Sequence, residues 1–538
     1  MATVAPPKSF SFADVWEMAA DACWDREALV CGAQRRTYGQ LEERANRLAH
    51  HLRGLGVGTG QHVGLYLENC AEYLEAMLAC FKIRAVPINV NHRYVAGELH
   101  HLLADSDSVG VLHGPKHEAV VAEVLPDLPG VGWRLCTGEP YEAALAGSSP
   151  ERPDAAGRGD DDRYVIYTGG TTGLPKGVVW RQGDAFFGCL GGGDPMRVQG
   201  EVSSPAELVE RIGDGGPTYF TLAPLMHAAA QWTSFMWLFA GGTVVLLDGH
   251  LDPERVWDTV ERERPNLMTV VGDAVVKPLL DAWEAEPTRW DASSLFAISN
   301  GGAPMSAGAK ARILAALPSV MVTDGFGSSE AGIQGSSRVT AADVLHPGGP
   351  IRFDPGSKPL RVLDDDDRPV APGSGVVGRI VTGGHLPLGY YKDPARTAAT
   401  IVHLDGERWL ITGDLATVAE DGTIELLGRG ATSINTGGEK VHPEEVEGVL
   451  HGHPAVADVV VVGVPDERWG SAVTAVVQLR PGASLTYDEL YEHCHRHLAG
   501  YKVPKHLVLV AEVVRSPAGK VDHRWAVETA QRALGVSA

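Results

Sequence analysis

Short apolar runs alternate with amphipathic stretches along most of the first 350 residues. His62–Asn69 (HVGLYLEN) reads as a strand, Ala71–Ala85 (AEYLEAMLACFKIRA) as a helix and Val86–Asn91 (VPINVN) as the next strand. Upstream, Thr37–Gly56 (TYGQLEERANRLAHHLRGLG) places its apolar residues at helical spacing and stops on Gly56. Strand–helix alternation of this kind predicts an α/β fold with helices packed on mostly parallel sheets. From Gly356 to Leu427 the pieces shorten to LRVLD, VVGRIVTGG and GTIELLG, which predicts a β-rich subdomain, with the acidic DDDDRPV at 364–370 on a solvated hairpin tip. After Gly428 the pattern resets, and VEGVLHGHPAVADVVVVGVPD, SAVTAVVQL and YDELYEHCHRHLAG predict helix, strand, strand, helix. The expected organisation is a large N-terminal domain over 1–428, its β-rich subdomain at about 356–427, and a small mobile α+β domain over 429–538. The linker falls near 428–432, and the segment 191–216, rich in Gly, Pro and Ser, reads as a loop insertion.

Composition narrows the functional classes. Lys and Arg number 46 against 68 Asp and Glu, a net charge of −22, and no basic run occurs. Nucleic-acid backbones are bound by cationic surface, so nucleic acid is not an expected partner. The stretch from Gly215 to Leu247 holds no charged residue, but Pro217, Pro224, His227, Gln231 and Gly241-Gly242 break it up. It therefore predicts buried core with a polar edge rather than a membrane span. The start of the chain lacks a basic segment followed by an apolar one, so no signal peptide is read. Seven cysteines, an odd number without a CxxC pair, point to reduced buried thiols and a cytoplasmic protein.

Tyr164–Gly177 (YVIYTGGTTGLPKG) carries the strongest chemistry. A strand runs into Thr168, Gly169, Gly170, Thr171, Thr172, Gly173 and Lys176. Glycines let backbone amides converge on one anion, while hydroxyls and an ammonium complete a polyphosphate cradle. The segment is not a Walker loop, because Lys176 is followed by Gly177.

This segment resembles the phosphate loop [YF]TSGTTGxPKG of the adenylate-forming superfamily of acyl-CoA synthetases, luciferases and adenylation domains, with Gly169 in place of serine. The resemblance extends along nearly the whole chain. Ala223–His227 (APLMH) is similar to the segment with a histidine beside the acyl pocket. Asp324–Glu330 (DGFGSSE) is similar to NxYGxTE, with Phe326 for tyrosine and Ser329 for threonine. Thr412-Gly-Asp414, the hinge at Gly428-Arg429, Ile434–Glu447 and Ser516–Lys520 follow in order. Ala431 stands where many members carry Asp or Lys, and Val514 where a proline often precedes the last motif.

The resemblance implies roles that suit the residue types. ATP is implied to lie on the cradle residues and on Gly302, Ala303, Asp324, Gly325, Phe326, Gly327, Ser328, Ser329, Asp414, Arg429 and Lys520. Phe326 supplies an aromatic face for adenine, and Asp414 an acceptor-only carboxylate for two ribose hydroxyls. Glu330 and Thr171 are implied ligands of Mg²⁺, a hard cation that prefers oxygen. The implied catalytic set is Lys520, Glu330, Thr171, Lys176 and His227. Lys520 would steady the charge that develops when a carboxylate attacks the α-phosphorus, and His227 would position the acid rather than act as a base.

His227, Gln231, Trp232, Asp273, Ala274, Gly301 and Gly302 are candidate contacts of the acid, and Gly437, Gly438 and Lys440 of coenzyme A. The lining segments 228–232, 271–276 and 300–303 offer no Arg or Lys, which favours a monocarboxylic acid with an apolar body. GGTTG, VVGDAVVKPLL and INTGGEKV together look most like actinobacterial fatty-acid and steroid-side-chain CoA ligases. The expected reaction is ATP-dependent acyl-adenylate formation followed by thioester formation with coenzyme A. The alternatives are another acceptor (a carrier-protein thiol, an amine or nitrite) or a nucleotide-binding regulator without catalysis. The chain is expected to act as a monomer or homodimer.

Overall fold

Local chemistry starts the elements where the pattern places them. Thr37 caps the helix Tyr38–Gly54 by accepting from the Gln40 amide, and the Gln40 side chain returns a bond to the Thr37 amide. The computed structural model describes residues 5–536 apart from 155, 170–174, 214, 303–304, 306, 344–350, 356–357, 365, 430–433, 442 and 515–522.

Two parallel sheets organise the first 340 residues. In the larger, Met321–Ser328, Ala297–Asn300, Leu267–Val270, Thr218–Thr221, Thr243–Leu246 and Glu27–Cys31 run parallel in that spatial order. Gly332–Val339 and Gln34–Thr37 close its edges antiparallel. The smaller sheet orders Val86–Asn89, His62–Tyr66, Ser108–His113 and Trp133–Cys136, all parallel. Open parallel sheets bind ligands beyond the carboxyl ends of their strands. That edge of the larger sheet carries His227, Val271, Gly301 and the far half of Met321–Ser328.

Among the described residues between Ile351 and Arg429, six strands form one antiparallel sheet. Beyond it, Val456–Asp466 and Gly470–Leu479 pair antiparallel, and His506–Val510 adds a parallel third strand. The apolar run of the first of these is buried on both faces: Val459 and Val461 pack in one cluster, Val460, Val462 and Val464 in another with Ala526 and Ala530. The strand His506–Val510 and the helix His523–Leu534 extend the expected helix–strand–strand–helix order.

One expectation is corrected. The segment 191–216 is not wholly loop, because Pro205–Ile212 is helical. Pro205 sits at the start, where its missing N–H costs nothing, and Leu208 and Ile212, one turn apart, are buried. The uncharged stretch 215–247 lies largely in the core, and among the described residues no helix is long and apolar enough to cross a membrane. All seven cysteines are free thiols.

Candidate active site

The glycine-rich segment joins two paired strands rather than a strand and a helix. Arg163–Gly169 and Pro175–Arg181 are antiparallel, with Thr168 opposite Lys176 and Gly169 opposite Pro175. Both ends of the turn are thereby fixed; Gly170, Thr171, Thr172 and Gly173 themselves lie outside the described residues. Gly177 is required by close packing, since a Cβ there would stand 2.9 Å from the Tyr167 ring and 3.1 Å from the Tyr391 Cβ. Burial lowers the Lys176 ammonium, helped by Arg396, against the opposing pull of Asp393 and Glu330. Lys176 and Glu330 thus share one electrostatic neighbourhood.

Glu330 sits on a turn pinned from several sides. The Tyr390 hydroxyl donates to its carboxylate at 3.0 Å, and the Trp180 indole donates to the Ser329 carbonyl at 3.0 Å. Lys358 donates to the carbonyls of Ala331 and Ile333 at 2.5 and 3.0 Å. Burial pushes that ammonium down to about 8. The sequence reading missed Lys358, whose role shows only once the chain is folded.

On the strand before Glu330, Phe326 stacks on Phe353 with ring centroids 4.8 Å apart, and a bulge follows it at Gly327. A Cβ at Gly327 would lie 2.3 Å from the Gly332 carbonyl oxygen, so only glycine fits. Asp324, expected among the ATP contacts, is buried, with its carboxylate on Lys310 and on the Asn300 amide at 2.9 Å. It acts as a brace between neighbouring strands rather than as an open acceptor. Gly325, Ser328 and Ser329 lie along the same edge, as do Gly301 and Gly302, the latter with φ +83°. Ala303 lies outside the described residues, as do the side chains of Asp273 and Ala274 at the start of the helix Gly272–Ala285.

Asp414 is buried on the long strand Glu407–Val418, with Arg429 its register partner on Ile424–Arg429. The two residues expected at one ribose are therefore cross-strand neighbours. The Arg429 side chain and Lys520 lie outside what the structure describes.

The acid-side expectations divide. His227 stands at the N-cap position of the helix Ala228–Phe239 without a capping side-chain bond, and its side chain is 38% exposed. Gln231, one turn on, is buried, and its carbonyl accepts from the Tyr164 hydroxyl at 2.7 Å while its amide donates to the Leu225 carbonyl at 2.8 Å and the Tyr73 hydroxyl at 3.3 Å. With its amide committed on both sides, Gln231 is a buried brace between Tyr164, Tyr73 and Leu225. Trp232 joins the same core. Asn89 is a second brace that the sequence reading missed. Its amide donates to the carbonyls of Tyr167 and Met226 at 2.8 and 2.7 Å, and its carbonyl accepts from the Tyr167 amide at 2.7 Å. It locks the phosphate hairpin to the segment that carries His227; a polar residue ending the apolar run VPIN was the available signal.

The hairpin of Ile434–Thr436 and Glu439–Val441 reaches this edge from the C-terminal part of the chain. Gly437 and Gly438 form its turn with φ +57° and +85°. A Cβ on Gly438 would stand 2.5 Å from Val271 Cγ1, whereas one on Gly437 would meet the Trp469 ring at 2.9 Å. Gly438 is thus the glycine pressed against the larger sheet's edge, and Lys440 follows on the second strand. Buried Glu439 lies 3.1 Å from His227 Nε2 and 2.9 Å from the Arg93 guanidinium. Burial alone would raise its carboxyl, but His227, Arg93 and His92 hold it down at about 2.

These motifs have known counterparts. A family model described as AMP-binding enzyme matches residues 15–391, and the AMP-binding enzyme C-terminal domain matches residues 445–520. A 3-oxocholest-4-en-26-oate–CoA ligase of Rhodococcus rhodochrous is 45% identical, over 96% of this chain and 95% of its own. A medium/long-chain-fatty-acid–CoA/3-oxocholest-4-en-26-oate–CoA ligase of Mycobacterium tuberculosis is 45% identical, over 97% of this chain and 96% of its own. Among solved structures, the amide bond synthetase McbA of Marinactinospora thermotolerans superposes with a TM-score of 0.81 at 27% identity, covering 96% of this chain and 99% of that one. With the N-terminal model spanning well over half the chain and relatives this similar along its length, the protein belongs to the AMP-binding enzyme family and is an ATP-dependent, AMP-forming ligase.

Proposed function

We propose that the enzyme activates an apolar carboxylic acid with ATP and passes the acyl group to coenzyme A. In the first step a carboxylate oxygen attacks the α-phosphorus, the bridging P–O bond breaks and pyrophosphate leaves. In the second the thiol sulfur attacks the acyl carbon, the C–O bond to phosphate breaks, AMP leaves and the thiol proton passes to solvent. The observation that carries this reading is the Gly437-Gly438-Glu439 turn seated on Val271 and His227. This turn brings Gly437 and Gly438, which carry no side chains, to the edge where the acid is proposed to bind, so that an incoming thiol arm would meet backbone there.

The chain's own groups divide the work. Lys176 and the glycine-rich turn hold the phosphates, Asp414 and Arg429 the ribose, and Phe326 the adenine face. Lys520 faces the charge that develops at the α-phosphorus. His227, held by Glu439, orients the acid. Glu330 offers Mg²⁺ a carboxylate whose orientation the Tyr390 hydroxyl fixes. Such an ion, when bound, neutralises phosphate charge.

The substrate class is an apolar monocarboxylic acid, of fatty or steroid-side-chain type. The relatives' names and the absence of Arg or Lys in segments 228–232, 271–276 and 300–303 support it. The amide synthetase neighbour raises an amine as the alternative acceptor. Free thiols throughout support a cytoplasmic setting. Acid-dependent pyrophosphate release across fatty, aromatic and steroid acids, with and without coenzyme A, and with product masses, tests the whole reading. Thioester with apolar acids is the expected product; adenylate that goes only to an amide would replace coenzyme A as the acceptor.

A further inference from the structure

Lys502 is a buried cation between two carboxylates that come from different parts of the chain. Its ammonium lies 2.6 Å from Glu98 and 2.7 Å from Glu445, and its side chain is 4% exposed. Glu445 stands in the helix Pro443–His451, within the same C-terminal match as Lys502, whereas Glu98 stands in the helix Ala96–Asp105 of the large N-terminal match. The neighbours repeat this crossing. Lys502 lies over the Tyr94 ring at 5.3 Å, Asn91 donates to the Tyr501 hydroxyl at 3.2 Å, and Arg93 lies over the Tyr501 ring at 5.8 Å. Arg93 also binds Glu439, which reaches His227. Residues 91–98 of the large part thus form one receptor strip for Tyr501, Lys502 and Glu439.

We propose that Lys502 is a positioning residue for the second half-reaction: its bond to Glu98 latches the small domain in the arrangement that holds Gly438 against Val271. This rests on the two-step reading above. The Glu445 contact lies within the small domain and survives any rotation of it as a body, whereas the Glu98 contact exists only in the docked arrangement. Among the described residues three ion pairs cross this seam, so charge pairing contributes to the specificity of the arrangement. A buried ion pair loses most when one partner alone is removed.

The test compares two variants that neutralise one carboxylate each on the same ammonium, Glu98→Gln and Glu445→Gln. Pyrophosphate release is measured without coenzyme A, then thioester formation against coenzyme A concentration, with melting curves for both proteins. Fewer docked molecules act as a lower competent fraction, which raises the apparent KM for coenzyme A while saturating coenzyme A restores kcat. Glu98→Gln is expected to raise that KM about tenfold, with kcat and pyrophosphate release within about threefold of wild type. Glu445→Gln is expected to leave the KM within about threefold. Equal effects of the two variants, or no KM change in Glu98→Gln, overturns the latch. A wild type that releases pyrophosphate but makes no thioester instead refutes the coenzyme A reading, so the two failures are distinct.

Discussion

The nucleotide side of the site and the seam with the small domain are built on opposite principles. On the nucleotide side each group rides on a strand or tight hairpin and is braced by neighbours from the same large unit. Asn89 ties Tyr167 to Met226, Gln231 ties Tyr164 to Leu225, and Trp180, Lys358 and Tyr390 pin the turn of Glu330. At the seam, ion pairs cross from one unit to the other, Arg93 and His227 to Glu439 and Glu98 to Lys502, beside the Asn91–Tyr501 hydrogen bond and the Gly438–Val271 contact. A network braced within one unit makes a single geometry that is costly to leave. A charged seam regains hydration on opening, so its large desolvation term offsets most of its Coulombic gain and docking stays reversible. Two reactions at one edge need both: fixed binding of the nucleotide and a contact that can be released.

Substitutions can break this division by failing to separate the half-reactions. The largest effect is expected from Lys520→Ala: in the role proposed for it the lysine would meet charge present only in the transition state, so acid-dependent pyrophosphate release should slow by roughly 100- to 1,000-fold with ATP affinity little changed. A variant that keeps release within about threefold of wild type would remove Lys520 from that role.

Gly438→Leu comes next. Its Cβ would already stand 2.5 Å from Val271 Cγ1, and φ of +85° suits only glycine. Overpacking of this kind costs about 1–3 kcal/mol, roughly 5- to 150-fold on thioester formation, and adenylate formation should survive. Gly437→Leu collides within the small domain, against Trp469, so the two variants sharpen the map of the seam: equal loss of thioester from both would show that Val271 is not the deciding contact.

Asp414→Ala should weaken ATP binding by more than about tenfold, since a charged acceptor for hydroxyls contributes about 1.5–3 kcal/mol. GTP should suffer alike through the shared ribose. Unchanged nucleotide affinity by calorimetry would move the ribose elsewhere.

The smallest effect concerns pH. Glu439 is held at about 2 in the folded protein against 4.5 ordinarily, so its ionised form binds the seam. A carboxyl depressed on folding contributes stability that is full above about 4.5 and is lost as pH falls toward about 2, at most about 3 kcal/mol in all. The melting temperatures of wild type and Glu439→Gln should therefore converge by a few degrees between pH 6 and pH 3. Parallel curves would mean that Glu439 carries no such linkage.

The sequence by itself determined the elements, the order of the motifs and the family. Helices and strands follow the periods of their apolar residues. The run Val459–Val464 likewise shows a strand covered on both faces. Those are local properties, carried by consecutive residues. What the tertiary structure alone decided is which polar side chains are spent on the framework. Asp324 lies in a site motif and Gln231 in a candidate lining segment, yet packing commits them to Asn300 and Lys310 and to Tyr164 and Leu225. Asn89, Lys358 and Lys502 sit in no motif that flagged them, yet they brace or latch the site. The reason is physical. A buried polar atom must find its partner wherever the fold brings one within bonding distance, and for Lys502 and Glu98 that partner lies 404 positions away along the chain.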